Sequence, residues 1–524
     1  MRKRLLFTLL FTFFSIIGLL AQSKQWNTAQ KKKYWDAESY FIHGDYKMAM
    51  QEFNALEGID SSFLALEFKI GYSYFHLRKF DEAKMYFDKS KTFNADAYYF
   101  LAKIALYKEE LKEAKSYIES YEKFKNENTQ IEDGYALILQ NKITTAEILM
   151  QDYEEVNIIN LGPNINTAFD EYVPLVDASE NQLVYTSRRL KEGNELDPLG
   201  RPFEDVYYSK RNDEGNDWIE AKSIESVNTS LNDACVGYSA NGEILYLFKT
   251  NKNLITGDLY ESLWIDDKWT TPVALTEKVN NQNSIERSVS ISLDGNTLYF
   301  SSNRPNGFGG FDLYRIVKLP TGEWSDPINL GARINTSGDE DSPFIHPNGS
   351  RLYFSSTRHE NMGGYDIFYS DKKDNEWSRP INLGYPTNTT KDDIHFSISA
   401  NEQHGYYAAT RAEGFGGKDI YLIDYLEKEL RQSVIQAHVM DSASQKGISA
   451  DISTLEIEYG EISGTYISNS RSGKFIFLVN PEVEYEILIE ADGYESKTEI
   501  LKYSVDDLMQ SQHMEFNLKR LGSE

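Results

Sequence analysis

The chain has 524 residues, with 40% hydrophobic and 26% charged side chains, which is the balance of a folded globular protein of several domains. Its net charge of −27 repels phosphate backbones and argues against nucleic acid as a partner, and a single Cys excludes a disulfide framework and a zinc–cysteine centre. Aromatic residues reach 13%, including 35 Tyr, a bias of strand-rich, half-buried surfaces. Arg2, Lys3 and Arg4 precede an apolar run from Leu5 to Leu20, and Ala21 then meets polar Gln22. This is the pattern of a secretory signal peptide over 1–21, so the mature chain is expected to be exported. No Cys follows the apolar run, which excludes a lipid anchor there.

Residues 22–155 read as paired helices. Gly44-Asp45-Tyr46 with Ala49 and Phe53 returns as Lys79-Phe80-Asp81 with Ala83 and Phe87, then as Glu110-Leu111-Lys112 with Ala114 and Ile118. A small residue lets two helices cross closely, and a large one four positions later fills the groove beside it. The period is 34 residues, then 31, and the pattern resembles tetratricopeptide repeats. That resemblance implies an α-solenoid whose concave face binds a peptide or partner domain.

Residues 156–426 carry a second repeat, of 53 to 54 residues except for the first copy, where Lys191 to Phe203 carries an insertion. Leu298-Tyr299-Phe300-Ser301-Ser302-Asn303-Arg304 recurs as Leu352-Tyr353-Phe354-Ser355-Ser356-Thr357-Arg358, with degenerate copies at 183–189, 244–246 and 406–411. Asp294-Gly295, Asn348-Gly349 and Asn241-Gly242 predict two-residue hairpins before that strand. Gly-Gly-x-Asp turns at 309–312, 363–366 and 416–419 precede a third strand, and a Trp precedes the fourth. Four-stranded units at this spacing predict a five-bladed β-propeller. The opening segment, Ile158-Ile159-Asn160-Leu161-Gly162, matches a fourth strand and is expected to complete the last blade. The repeats resemble the PD40 or WD40-like units of the Tol-system periplasmic propeller.

Three columns of polar residues recur in all five units. Glu171, Asp233, Glu286, Glu340 and Asp393 precede the first strand, and Asn166, Asn228, Asn281, Asn335 and Asn388 stand just upstream. The acids form a candidate ring at one mouth of the channel, able to hold a cation or a basic peptide. Their presence in every blade favours a role in the fold, because sites break symmetry. Asp205, Asp258, Asp312, Asp366 and Asp419 are expected on the amides of the glycine turn or on Arg304, Arg358 and Arg411.

Residues 432–520 alternate as short strands with turns about every ten residues, the pattern of a β-sandwich. The run from Gly473-Lys474-Phe475 to Tyr485-Glu486-Ile487 and Asp492-Gly493-Tyr494 resembles the carboxypeptidase regulatory-like domain, which implies a transthyretin-like topology.

The sequence shows no nucleophile elbow, zinc-protease or phosphate-loop motif, and no metal or cofactor signature. Asp339-Glu340-Asp341 lacks the rest of a calcium loop, and Ser292 to Leu298 resembles a sialidase Asp-box without its closing Trp. His346 and His359 share a blade and are expected in loops, while Cys235 is expected to be a buried small hydrophobe. No catalytic, cofactor or metal residue is therefore expected, and the chain is expected not to be an enzyme. The domain order resembles the OmpA-family, PorE-like envelope proteins of Bacteroidetes, here without their C-terminal OmpA-like peptidoglycan-binding domain. The resemblance implies a periplasmic scaffold associated with the outer membrane and with type IX secretion or gliding. Its partners would be other envelope proteins, held by the helical array and the propeller. The alternative is a glycan-binding or glycan-hydrolysing propeller, whose one support is Trp264, the only propeller Trp outside the repeat position.

Overall fold

A computed structural model describes residues 26–57, 64–127, 129–191, 196–197, 200–212, 214–215, 217–426, 429–508 and 513–522. The expected signal peptide lies outside these residues. Two compact units divide the chain, 1–151 and 152–524. Among the described residues no helix is long and apolar enough to cross a membrane.

Among its described residues the first unit holds seven helices: α1 (Thr28–Ile42), α2 (Tyr46–Glu57), α3 (Leu64–His76), α4 (Phe80–Ser90), α5 (Asp96–Tyr107), α6 (Leu111–Phe124) and α7 (Asp133–Gln151). Asn27 starts α1 with a capping box: its side chain accepts from Gln30 N at 2.9 Å, and the Gln30 side chain accepts from Asn27 N at 2.8 Å. Each helix packs against the next in the chain. The crossing residues Ala49, Ala83 and Ala114 and their groove fillers Phe53, Phe87 and Ile118 are all buried. Gly71 shows why the first helix of a pair needs a small residue. A Cβ there would stand 3.1 Å from the Phe87 ring and 3.2 Å from Tyr86 Cβ.

The second unit is built from sheets. Five share one antiparallel four-strand path and make a β-propeller-like fold. Their innermost strands are Glu171–Val176, Asp233–Tyr238, Glu286–Ile291, Glu340–Ile345 and Asp393–Ile398. Each lies beside the next, and the fifth lies beside the first. Hydrogen bonds stitch this inner circle. Cys235 N donates to Thr186 Oγ1 at 3.0 Å, Ser342 N to Ser288 Oγ at 3.0 Å, and Ser397 Oγ to the Pro174 carbonyl at 3.1 Å. The segment Asn157–Asn160 pairs antiparallel with Tyr421–Asp424 and supplies the outer strand of the fifth sheet. Every innermost strand carries a register shift midway, which lets it bend around the axis.

The turns after the innermost strands differ from expectation. Asn241, Asp294 and Asn348 keep ordinary φ, and only Gly242, Gly295 and Gly349 are left-handed, at 73°, 69° and 70°. The loop closes one residue earlier than a two-residue hairpin would, at Ser239–Ile244 and Ser292–Thr297. The longer loop lets a serine hydroxyl take an otherwise bare amide: Ile244 N donates to Ser239 Oγ at 2.8 Å and Thr297 N to Ser292 Oγ at 2.9 Å.

Residues 433–518 form two further sheets packed face to face. One orders Lys474–Val479, Ser433–Asp441 and His513–Leu518, the last pair parallel. The other orders Glu461–Ile467, Asp451–Glu456, Glu484–Glu490 and Lys497–Lys502. Ile435, Val439, Ile452, Phe475, Phe477, Ile487 and Phe516 fill the space between them. This sandwich sits on the turn end of the propeller. Glu243, in the turn of the second sheet, accepts from Ser472 Oγ at 2.6 Å and from Asn469 Nδ2 at 2.8 Å.

Candidate functional site

The ring of acids lies inside the fold. Glu171, Asp233, Glu286, Glu340 and Asp393 are at most 1% exposed. Each clasps the loop that leads into its own strand. Glu340 takes Thr336 N and Thr336 Oγ1, both at 2.7 Å, and Ser356 Oγ at 2.8 Å. Glu171 does the same with Thr167 and Ser187, and Glu286 with Ser284, Ser302 and Arg304. Asp233 holds Thr229 and pairs with Lys249, and Asp393 holds Thr389. Burial raises the carboxyls of Glu171 and Glu340, and burial together with nearby Asp366 pushes Asp393 up to about 7.

The asparagine column bridges sheets through backbone-like pairs. Asn388 accepts from Ile367 N at 2.7 Å and donates to Ile367 O at 2.8 Å, and Asn166, Asn228 and Asn335 repeat this on Ile420, Val206 and Leu313. In the third sheet this residue is Asn280, bonded to Leu259, and not the expected Asn281. The loop from Asn280 to Glu286 is one residue longer than its counterparts, so counting back from the acid lands one place late. Asp312, Asp366 and Asp419 accept from the amides of the glycine turn. Asp366, for example, takes Met362 N at 2.8 Å and Gly363 N at 2.9 Å.

The other singled-out residues are separate from one another. His346 is buried, with Nε2 3.9 Å from Glu402, and His359 Nε2 lies 2.8 Å from the Ile334 carbonyl, with its ring held below the ordinary value by burial. Cys235 is buried, and desolvation pushes its thiol up to about 12. Asp339 takes Phe311 N at 2.9 Å, and Asp341 takes Ser288 Oγ at 2.5 Å, which spends the acidic cluster on sheet-to-sheet bonds. Among the described residues no group of three or more His, Cys, Asp or Glu is placed to hold a metal ion.

The larger opening is a cleft of about 670 Å³ between the turn end of the propeller and the sandwich. Trp264 lines it, half-buried, with its ring edge-on to Trp269 at 5.2 Å. Asp266 and Asp267 follow in a tight turn, both left-handed at φ 50° and 58°, and Asp294 stands on the neighbouring turn. Arg471 and Lys474 line the sandwich side. A second cleft of about 400 Å³ is lined by His346, Arg351, Glu402 and Arg431. The first cleft could not be read from the repeats, because it forms where two parts distant in sequence meet. Trp264 was its one visible signal, as a departure from the repeat.

No family model and no curated protein matches the chain. Solved structures do match over about half of it. A glycoside hydrolase matches at 9% identity and TM-score 0.37, over 54% of this chain and 96% of its own. The α-L-arabinanase of Penicillium chrysogenum matches at 10% identity and TM-score 0.32, over 52% and 99%. The GH93 α-L-arabinofuranosidase of Fusarium graminearum matches at 11% and 0.31, over 52% and 98%. The expectation that the chain is not an enzyme is withdrawn: it rested on missing sequence motifs, which do not exclude catalysis, and glycoside hydrolases are among the structures the chain is similar to.

Proposed function

We propose that the chain is an exported glycan-recognising protein whose site is the larger cleft, with cleavage of the bound glycan as the activity to assay. The observation that carries this reading is the place of Trp264. The one propeller Trp that departs from the repeat lines the larger cleft, beside carboxylates that are not part of the ring clasps. A flat indole suits the C–H face of a sugar ring. Asp266, Asp267, Asp294 and Asn241 suit its hydroxyl edge, since carboxylates accept and an amide does both. Glycoside hydrolysis needs two carboxylates flanking the scissile bond, and Asp266, Asp267 and Asp294 are the candidates to test for that role.

Affinity electrophoresis against a panel of soluble polysaccharides tests the reading, with release of reducing ends measured on the same panel. We expect at least one polysaccharide to retard the protein and Trp264→Ala to abolish the retardation. A chain that neither moves more slowly nor releases reducing ends with any member would sink it.

A second reading is an envelope scaffold, with a tetratricopeptide-like array, a five-bladed PD40-like propeller and a regulatory-like sandwich in OmpA-family order. The helical unit favours it by exposing Trp35, Phe93, Phe124 and Tyr135. Cross-linking in intact cells, with recovery of an outer-membrane partner through this unit alone, is its test.

A further inference from the structure

We infer that the glycan taken by the larger cleft carries an anionic group, a uronate carboxylate or a sulfate ester, seated on Arg471 and Lys474. The inference rests on the glycan reading and narrows it to a substrate class.

The chain has 81 Asp and Glu against 54 Lys and Arg, so carboxylates outnumber the cations they could cover. Several partly buried cations elsewhere in the second unit have such partners. Arg188 pairs with Glu204, Lys249 with Asp233, Arg304 with Glu286 at 3.3 Å, and Arg351 with Asp371 at 2.6 Å. Among the described residues Arg471 and Lys474 form no ion pair, although Lys474 is half-buried. A half-buried ammonium without a counter-charge carries a desolvation cost that an arriving anion would offset.

The turn that carries Arg471 is also held in place. Asn469 Oδ1 accepts from Arg471 N at 2.8 Å and from Ser472 N at 3.1 Å, while Asn469 Nδ2 and Ser472 Oγ bond to Glu243 of the propeller. Lys474 lies on the strand Lys474–Val479, opposite His438 in register. The turn bearing Arg471 is thus fastened to the facing wall, which lowers the ordering cost of binding. The opposite wall presents Asp266, Asp267 and Asp294. The cleft is sorted by sign, with donors for an oxyanion on the sandwich side and acceptors for hydroxyls on the propeller side, where Trp264 also stands. A neutral sugar leaves the cationic wall unused. An acidic one engages both walls, and an arginine fork matches a carboxylate or sulfate edge.

The test is affinity electrophoresis of the full mature chain at neutral pH with polygalacturonate, the same polymer methyl-esterified, dextran sulfate and dextran. Retardation by polygalacturonate and not by its ester assigns the carboxylate, and retardation by dextran sulfate and not by dextran assigns the sulfate. R471Q with K474Q should weaken either affinity about tenfold or more, the scale of one lost charge-assisted contact. Circular dichroism and an unchanged melting temperature would show that this variant still folds. Equal retardation by the ester or by dextran would overturn the inference while leaving glycan recognition standing. So would full retention in the double variant. Retardation by none of these polymers, nor by the wider panel, would remove both.

Discussion

A carboxylate at each loop entry does what no apolar residue could do there: it satisfies two or three donors that the loop would otherwise bury bare. Glu340 holds Thr336 N, Thr336 Oγ1 and Ser356 Oγ, with no exposure of its own. Glu340→Ala orphans all three and is expected to cost about 3 kcal/mol or more, measured by urea unfolding, with Glu340→Gln milder because it keeps one acceptor. Asp393 adds a pH signature. Its folded value of about 7 lies above the ordinary carboxyl value of 3.8, so the folded state binds its proton more tightly than the unfolded state. The associated stability is complete below about pH 4 and is lost as pH rises through 7. His404, raised by its bond to Glu180 at 2.9 Å, acts in the same sense at the seam between the first and fifth sheets. His395 opposes both. Burial lowers its ring to about 3, so it favours the folded state above about pH 6.5 and withdraws that support on acidification. Asp393→Asn should therefore flatten the decline in unfolding free energy between pH 5 and 7.5. An unaltered slope would assign that decline to other groups.

At the level of elements, glycine decides how closely sheets approach. Gly309, Gly363 and Gly416 have ordinary φ, yet a Cβ on each would stand 2.1 to 2.2 Å from a carbonyl oxygen of the next sheet, belonging to Gly338, Lys391 and Phe169. The Gly-Gly-x-Asp motif thus encodes a contact between blades as well as a turn. Gly363→Ala is expected to destabilise the propeller by more than about 3 kcal/mol or to prevent its folding, since the obstacle is backbone and cannot rotate away. Gly71→Ala, which meets a phenylalanine ring at 3.1 Å, should cost less, about 1–2 kcal/mol, and confine its effect to the melting of the helical unit. These motifs were legible in the sequence because each copy faces the same neighbour, so physics repeats with the period. The hairpin turns and Asn280 were misread where a loop gained a residue that the motif does not mark. The cleft escaped notice for a different reason. It depends on Glu243 meeting Asn469 and Ser472, more than 220 positions away, and no local pattern records that meeting.

For the propeller as a whole, the decisive feature is that its first strand is the outer edge of its last sheet. Ile158 faces Ile423 in register, and Ile423 is fully buried in the cluster with Tyr353, Phe396, Tyr407 and Tyr421. Each inner strand leans on two neighbours, so opening the circle at one seam removes a neighbour from both flanking sheets. Unfolding should then be a property of the ring and not of single sheets. Trp218, Trp269, Trp324 and Trp377 mark the first four sheets, whereas Ile423 sits in the fifth. Ile423→Ala should cost about 2–4 kcal/mol, the scale of a buried cavity, and should shift the tryptophan-fluorescence transition as one cooperative step. Single-Trp variants would locate the response. If Trp269 or Trp324, on sheets that do not border the fifth, melts at its original temperature while the fifth sheet is lost, the sheets behave as a stack of independent units. If all four move together, the pairing of Asn157–Asn160 with Tyr421–Asp424 is what makes five repeats one folding unit.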